Sequence, residues 1–427
     1  MAKSEELPKI PRNARGRVLW DNIPGAIDWF KNVAPDMTNN ELIEAIRGRY
    51  GVDVTIPSVN QMRLRKRVQQ TPETIARGVA VRIAKIRGPQ KPELTPQEKY
   101  DRDSMQASIR RLTAKQTFYE VVGDRVIQAV REIPKMPPVR IPRISVPKGL
   151  SEEEAVLVIS DVQAGLTTSA KETGGLGDFN TAVLLKEIEY LAESVEAIMR
   201  YHTNVRTLNV WFNGDIVEGE DIFAGQLREI DMNLVEQVAF CVEHFARFIH
   251  RMAHRFETVR CTGTVGNHGR IGRKGEHSPM SNFDYLVYKW LAERTARATN
   301  VSWTIPETWW IINEIQGWRF LQVHGDDTGQ STWGIPFYSM QRHSWRYQEM
   351  LRLARQEGFD FIVIGHHSEA GEFKNVISAG SWPGGTEFSI KRMQALAMPS
   401  APFFGVVRSH GKTWRRDIYL RPPKDAR

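Results

Sequence analysis

The sequence predicts an α/β domain built of layered strands and helices, preceded by an all-α basic module. Two observations predict the α/β part, and a third predicts the module. Five short apolar runs lack a helical period, as buried strands do, and each run ends in Asp, Asn or His, which in four of the five runs lies next to or within one residue of a glycine. The positive charge of the chain is concentrated in its first third.

The five apolar runs end in side chains that are suited to a shared ligand. In a layered α/β fold the carboxyl ends of the strands face one crevice, so their polar tips are expected to meet there. The tips supply the oxygen and nitrogen donors that divalent metals prefer. A single Gly-Asp or Gly-His pair is usually a turn, but five such tips in order favour a metal centre. The runs are Val156–Gln163, Leu208–Asp215, Val259–His268, Phe320–Gly325 and Phe361–His367.

The motifs D-x-Q, G-D, G-N-H, H-G and G-H follow one another between residues 150 and 420. In this order they resemble the calcineurin-like metallophosphoesterase superfamily. Together with a two-helix segment at about 38–67, in which Thr38 and Glu41 precede the first helix and Pro57 a basic second one, they are most similar to bacteriophage-encoded members with an N-terminal helix-turn-helix-like segment. The resemblance implies a four-layer α/β/β/α metallophosphoesterase sandwich. It also implies two divalent metal ions about 3.5–4 Å apart, which clamp a phosphate for in-line attack by a metal-bound hydroxide.

The resemblance further implies a role for each motif residue. Asp161 and Gln163 would bind the first metal, Asp215 would bridge both, and the remaining ligands would bind the second. His268 would not bind metal but would protonate the leaving oxygen as a general acid. Mn²⁺ is the expected ion, with Zn²⁺, Fe²⁺ and Mg²⁺ as alternatives. The expected metal ligands are Asp161, Gln163, Asp215, Asn267, His324 and His366.

The sequence departs from the superfamily pattern at the first metal. Most relatives carry His where this chain has Gln163, and a second His where it has Ser368. Amide and hydroxyl groups bind Zn²⁺ or Mn²⁺ more weakly than imidazole does, so His367 or Ser368 is a possible further ligand. After G-N-H, relatives usually carry an acidic residue, whereas this chain has Gly269 and Arg270. Arg270 either forks onto a phosphate or is a solvated loop residue.

The charge distribution points to a second function for the N-terminal part. Residues 1–150 contain 28 Lys and Arg against 16 Asp and Glu, a net charge of +12. Residues 151–427 contain 30 against 34, a net charge of −4. A basic module on a near-neutral body is typical of nucleic-acid binding, although a basic solubilising tail has the same composition.

Residues 38–67 resemble a helix-turn-helix. Thr38 and Glu41 form a capping box, Gly51 is placed to end the first helix, and Pro57 can begin the second. A polar, basic second helix is typical of nucleic-acid recognition, DNA more than RNA, but simple packing of two helices gives the same spacing. The residues expected to point outward and bind nucleic acid are Asn60, Gln61, Arg63, Arg65, Lys66 and Arg67.

The chain divides by composition into three parts. Residues 1–132 form the basic helical module, and 133–150 form a linker, because five prolines at 134–147 disfavour helix. Residues 151–427 form the metallophosphoesterase domain. Within it, amphipathic patterns predict helices at 184–198 and 235–252, and a further helix is expected at 337–357, which is rich in Arg and Gln. Strands near 374–380, 403–409 and 413–420 are expected to close the second sheet.

These observations predict a divalent-metal-dependent phosphodiesterase that acts on nucleic acid, a DNA nuclease. One alternative is a small-molecule phosphodiesterase or nucleotidase whose N-terminal module docks to a partner. Another is a nucleic-acid-binding protein whose degraded metal site has lost turnover. Two cysteines, no apolar signal core and no apolar run of 18 residues predict a protein of the cytoplasm without a membrane span, in the host cytoplasm if the chain is phage-encoded.

Overall fold

The computed structural model describes residues 23, 25–50, 54–66, 69–77, 104, 121–223, 225–328, 336–387, 389–390 and 396–421. The chain divides into two compact units, Met1–Arg110 and Arg111–Arg427. Among the described residues, the first unit is helical and the second contains all the strands. No helix in these ranges is both long and apolar enough to span a bilayer.

The first unit contains the helices α1 (Ala26–Val33), α2 (Asn39–Tyr50) and α3 (Ile56–Lys66), followed by helical residues 72–77 (α4). The predicted capping box is present, since the backbone N–H of Thr38 donates to Glu41 Oε2 at 2.7 Å. The core is apolar and comes from α1, α2 and α3: Phe30, Leu42, Ile46, Val59 and Met62 are buried. The two helices predicted at 38–67 are therefore present as α2 and α3, and their binding to nucleic acid stays a prediction.

The sequence pattern predicted that Arg63 points outward, and this prediction is wrong. Its guanidinium is buried and donates to the carbonyl oxygens of Ala34 at 2.5 Å and Met37 at 2.6 Å. Ala34 and Met37 lie between α1 and α2, so Arg63 connects α3 to the segment before α2 and stabilises it. Asn60 is exposed, and its Oδ1 accepts from Asn39 Nδ2 at 2.7 Å. Arg67 and the side chains of Gln61, Arg65 and Lys66 lie outside the described residues.

The first sheet of the second unit has the order β11-β10-β1-β2-β3-β4. The four neighbouring strands β1, β2, β3 and β4 are parallel to one another. Strand β10 pairs antiparallel with both β1 and β11. The last two strands were predicted to close the second sheet, and that prediction is wrong because β10 pairs with β1. The strands are β1 (Glu153–Ile159), β2 (Val205–Asn213), β3 (Thr258–Thr264), β4 (Val301–Thr304), β10 (Ser400–Val407) and β11 (Gly411–Tyr419).

The second sheet has the order β5-β6-β7-β9-β8. The strands β6, β7 and β9 are parallel, so their carboxyl ends lie at one edge. The strand at 376–378 is in this sheet, as predicted. The strands are β5 (Trp310–Ile315), β6 (Trp318–Val323), β7 (Phe361–Ile364), β8 (Gly371–Phe373) and β9 (Val376–Ser378).

The two sheets stack face to face between layers of helix. Alternate residues of β1 take opposite sides: Val156 and Val158 pack between the sheets, and Leu157 and Ile159 pack under the helices. The outer face of the first sheet is covered by α6 (Thr181–Met199), α7 (Leu234–Ala253) and α8 (Phe283–Thr295). The outer face of the second sheet is covered by α9 (Pro336–Leu353). The predicted four-layer α/β/β/α sandwich is confirmed.

Helical residues 121–132 (α5) belong to the core of the second unit. Val122, Val126 and Val130 are buried in the cluster under the first sheet, and Arg294 Nη2 donates to the carbonyl oxygen of Val130 at 2.6 Å. Residues 134–147 contain neither helix nor strand, as their prolines predict. The predicted boundaries at 132 and 150 stay predictions, but α5 packs as part of the sandwich.

Candidate metal centre

The carboxyl ends of five strands meet at one edge of the sandwich. Asp161 follows β1, Asp215 follows β2, and Asn267 follows β3, while His324 and His366 follow β6 and β7 of the other sheet. Three of these residues have a left-handed backbone, with φ of 52° at Asp161, 53° at Asp215 and 66° at His366. Non-glycine residues rarely adopt this conformation, and it concentrates at functional sites.

Asp215, His324 and His366 are the one group of three His, Cys, Asp or Glu side chains, within the described residues, whose ligand atoms are close enough to share a metal ion. One ligand atom from each lies within 4.8 Å of the other two. His324 Nε2 is 2.9 Å from Asp215 Oδ2 and 3.1 Å from Asn267 Oδ1. The other ring nitrogen, Nδ1, faces the carbonyl oxygen of Asn213 at 2.9 Å. A proton on Nδ1 leaves Nε2 free to bind a cation beside the carboxylate.

The electrostatics of this group fit a cation. Burial raises the pKa of Asp215, but His324 and His268 outweigh it and hold that pKa below its usual range. Burial lowers the pKa of His324, but Asp215 and Asp161 outweigh it and raise the pKa to about 10. Burial and the neighbouring His324 lower the pKa of His366 to about 3, so its imidazole is neutral. In the metal-free protein a protonated His324 therefore supplies the positive charge that the buried Asp215 attracts. A divalent cation would replace the Nε2 proton of His324, and Asn267, His324 and His366 would then complete a donor set with Asp215 for Mn²⁺, Fe²⁺ or Zn²⁺.

The residues expected at the first metal are less closely assembled. Asp161 lies outside the three-residue group; its carboxylate accepts from Ser160 Oγ at 2.5 Å and from the backbone N–H of His366 at 3.0 and 3.1 Å. The side-chain amide of Gln163 lies 3.4 Å from His268 Nε2. His367 Nε2 is 2.6 Å from Thr328 Oγ1, so this candidate extra ligand is already hydrogen-bonded. Ser368 follows with φ of 64°, and no described contact of its hydroxyl identifies it as a ligand.

His268 lies beside the metal-binding group, held by a carboxylate that the motifs did not reveal. Its Nδ1 is 2.9 Å from Glu218 Oε2, and its backbone N–H donates to Asp215 Oδ1 at 2.8 Å. Burial lowers the pKa of His268, but Glu218 and Asp215 outweigh it and raise the pKa to about 9. The imidazole therefore carries a proton at neutral pH, as a general acid must. Glu218 comes three residues after Asp215, a spacing that the sequence offers as its only signal.

Asp284 is a second residue that sequence reasoning missed. Its buried carboxylate accepts four backbone N–H groups, which belong to Asp215 (2.9 Å), Ile216 (3.0 Å), Val217 (3.2 Å) and Gly266 (2.9 Å). These groups belong to the loops after β2 and β3, which carry Asp215, Asn267 and His268. Burial and the nearby Asp215 raise the pKa of Asp284 to about 6, against the lowering effect of the backbone donors.

The absence of an acidic residue after the G-N-H motif has a structural reason. A Cβ atom at Gly269 would lie 3.1 Å from Asp284 Oδ1 and 2.6 Å from Asn282 Oδ1. The space beside this loop is thus filled by side chains from the start of α8. Asp284, from another part of the chain, places its carboxylate next to Gly269.

Arg270 approaches the centre from the loop after β3. Its guanidinium carbon is 5.4 Å from the ring centre of Phe223, whose ring is in turn 4.8 Å from that of His268. Arg270 Nε is buried and has no hydrogen-bond partner in the described part of the chain. Lys274, further along this basic loop, is paired with Asp326 at 2.9 Å. Arg270 is therefore the loop cation that contacts Phe223, the ring packed against His268.

Comparisons with known proteins place only distant structures beside this chain. No protein-family model and no curated protein sequence matches it. The zinc-bound Vps29 of Entamoeba histolytica is 10% identical over 62% of this chain and 99% of its own, with a TM-score of 0.23. The calcineurin-like phosphoesterase YfkN of Bacillus subtilis is 12% identical over 63% of this chain and 89% of its own, with a TM-score of 0.26. Similarity at this level assigns no activity, so the chemistry is inferred from the residues of this chain.

Proposed function

We propose that this chain is a divalent-metal-dependent phosphodiesterase that acts on nucleic acid, a DNA nuclease. The observation that carries the proposal is the group of Asp215, His324 and His366 next to a protonated His268. A metal-binding group alone would also suit a structural ion. A general acid held against it by Glu218 suits hydrolysis, because a phosphodiester needs both charge neutralisation and a proton for the leaving oxygen.

The residues of the centre have separate roles in this proposal. Asp215, Asn267, His324 and His366 would hold one cation, and Asp161 and Gln163 would help to hold another. Bound cations would neutralise the phosphate and lower the pKa of water to about 7, which makes it a nucleophile at neutral pH.

The chain itself positions the proton and the phosphate. Glu218 orients the imidazole of His268 through Nδ1, so that Nε2 points toward Gln163 and Asp215. From this position Nε2 can deliver its proton to a leaving oxygen. Asp284 fixes both ligand loops through their backbone, and Arg270 offers a guanidinium to a phosphate oxygen.

Nucleic acid is proposed as the substrate because of the charge of the chain. Residues 1–150 carry a net charge of +12, and a hydrolase of small molecules has no need of so basic a module. The net charge of −4 in residues 151–427 would not by itself attract a polyanion. A basic module attached to this domain would raise the local concentration of DNA near the metal centre.

Hydrolysis of bis-p-nitrophenyl phosphate with Mn²⁺ tests the enzymatic part of the proposal. The full chain should turn over, Asp215→Asn should be inactive, and the exposed control Asp178→Asn should retain the activity of the unmodified chain. If the full chain binds DNA but hydrolyses no diester with any divalent ion, it is a binding protein and the enzymatic proposal is wrong.

Nucleic-acid binding is tested by removing the first unit. A chain that starts at Arg111 keeps α5, whose valines lie in the core, and should hydrolyse the small diester at the same rate. It should lose tight DNA binding, and the affinity of the full chain should fall steeply with salt because phosphate contacts release counterions. Equal DNA affinity in both chains would show that the N-terminal module does not bind DNA. Cleavage of the small diester without any cleavage of plasmid, linear or single-stranded DNA would indicate a small-molecule phosphodiesterase.

A further inference from the structure

Three large aromatic side chains lie exposed on the side of the sandwich formed by α9 and the end of β8. Tyr338 and Trp345 on α9 are 62% and 55% exposed, and Phe373 at the end of β8 is 45% exposed. Aromatic side chains of this size are usually buried, and a cluster of them at the surface marks an interaction site. The buried face of α9 is already satisfied by Met340, Tyr347 and Leu351, so the exposed rings are not needed to hold the helix.

Each exposed ring has a cation beside it. Lys374 Nζ lies 5.9 Å from the ring centre of Trp345 and 5.6 Å from that of Phe373. The guanidinium carbon of Arg342 lies 6.0 Å from the ring centre of Tyr338. We call these five residues, Tyr338, Arg342, Trp345, Phe373 and Lys374, the aromatic-basic surface.

The backbone holds this surface in place. Lys374 occupies the turn between β8 and β9 with φ of 53°. Asn375, the next residue, is tied to α9 twice: its Nδ2 donates to Ser344 Oγ at 3.1 Å, and its Oδ1 accepts from Gln341 Nε2 at 3.0 Å. The distance between the turn and the helix is therefore set by hydrogen bonds, and the rings and cations form a fixed arrangement.

The charge of the surroundings favours an anion. The acidic neighbours are already paired, Glu349 with Arg352 at 2.6 Å and Glu372 with Lys412 at 2.8 Å. Arg346 adds a further exposed guanidinium on the same helix. A partner with an apolar surface would have to desolvate Arg342 and Lys374, whereas a strand of nucleotides offers bases to the rings and phosphates to the cations.

We propose that the aromatic-basic surface binds single-stranded nucleic acid outside the metal centre. This inference rests on the proposed function, since α9 is connected to that centre through the segment after His324. The Nε2 of His343 on α9 is 3.3 Å from the Oδ1 of Asp327, which follows the ligand His324 by three residues in the chain. A strand that stacks on Trp345 and Tyr338 would be held by the same domain that carries the metal centre.

The test is the affinity of the full chain for a fluorescent single-stranded oligothymidylate, with EDTA present to prevent cleavage. Stacking of one base on an aromatic ring contributes about 1–3 kcal/mol, so Tyr338→Ala/Trp345→Ala should raise Kd at least about fivefold. Trp345→Phe should retain most of the affinity, because phenylalanine also stacks. Tyr201→Ala is the matched control, since Tyr201 is 85% exposed and lies after α6, and it should bind as the unmodified chain does. Photocrosslinking to a 4-thiothymidine strand should label the peptide that contains Trp345.

The outcomes separate this proposal from the proposed function. The double variant should hydrolyse bis-p-nitrophenyl phosphate at the unmodified rate, because no residue of the surface belongs to the metal centre. Absence of hydrolysis in the unmodified chain would defeat the proposed function and leave the binding result to be judged on its own. Unchanged oligonucleotide affinity in the double variant overturns the surface proposal. If the unmodified chain self-associates in sedimentation and the double variant does not, while both bind the oligonucleotide equally well, a second copy of the chain covers these rings instead.

Discussion

Replacing Asp284 by Asn should destabilise the protein and weaken its metal binding at the same time. Oδ2 accepts the N–H groups of Asp215 and Gly266, and Oδ1 accepts those of Ile216 and Val217. Asn has the same size, but one of its two terminal groups is a donor. Whichever way the amide is turned, two buried N–H groups lose their acceptor and face another N–H group.

The size of the effect follows from those two groups. A buried donor left without a partner costs about 1–3 kcal/mol, so Asp284→Asn should lower the free energy of unfolding by about 2–6 kcal/mol. This is a large part of the total stability of about 5–15 kcal/mol that is usual for a folded protein. The freed loops carry Asp215 and Asn267, so the affinity for Mn²⁺ should also fall, by about 10–100-fold, which is usual when an outer-shell partner is lost.

Two measurements check this prediction. Urea unfolding in EDTA, followed by tryptophan fluorescence, gives the loss of stability without any contribution from bound metal. Calorimetric titration of the folded protein with Mn²⁺ gives the change in affinity, and Asp178→Asn serves as an exposed Asp-to-Asn control. A loss below about 0.5 kcal/mol together with an unchanged Mn²⁺ affinity would refute the role assigned to Asp284, since a surface substitution has an effect of that size.

Three further predictions concern the general acid, the weaker metal site and pH. His268→Ala should lower the rate of diester hydrolysis by about 10²–10⁴-fold with metal content unchanged. Glu218→Gln should move the alkaline limb of the pH–rate profile to lower pH, because Glu218 raises the pKa of His268. A profile that does not move would exclude Glu218 as the partner of His268. Calorimetry with Mn²⁺ should show one tight and one weaker site in the unmodified chain, and Gln163→His should tighten the weaker one; two equally tight sites would mean that another group completes the first site. Burial raises the pKa of Glu187 from 4.5 to about 7, so the free energy of unfolding should fall by on the order of 3 kcal/mol as pH rises through this range. Glu187→Gln should flatten that pH dependence in urea unfolding. An unaltered pH dependence would contradict this role of Glu187.

The strands and the ligand-bearing tips could be predicted from sequence because both are local features. A buried strand has an apolar run that needs no partner to be visible, and its polar tip is adjacent in the chain. Asp161, Asp215, Asn267, His324 and His366 all fall where those tips lead. The placement of β10 and β11 was wrong because pairing with β1 joins residues about 250 positions apart, and an apolar run does not show which neighbour it pairs with.

The residues that the sequence did not reveal act on the site through space. Asp284 contacts the backbone of Asp215 across 69 residues, and nothing in its own neighbourhood distinguishes it from an ordinary residue in a first helical turn. Arg63 reads as one of several outward basic residues, but its side chain is used to satisfy two carbonyl oxygens. In both cases a charged side chain serves hydrogen bonding to the backbone, which composition and periodicity do not record.

The most direct test of the metal assignment is an anomalous-scattering map from crystals of the full chain soaked in Mn²⁺. The first and strongest peak should contact the side chains of Asp215, His324 and His366, and it should be missing in crystals of Asp215→Asn soaked in the same way. A second, weaker peak beside Asp161 should grow as the Mn²⁺ concentration is raised. Mn²⁺ bound elsewhere, with no peak between Asp215, His324 and His366, would contradict the account.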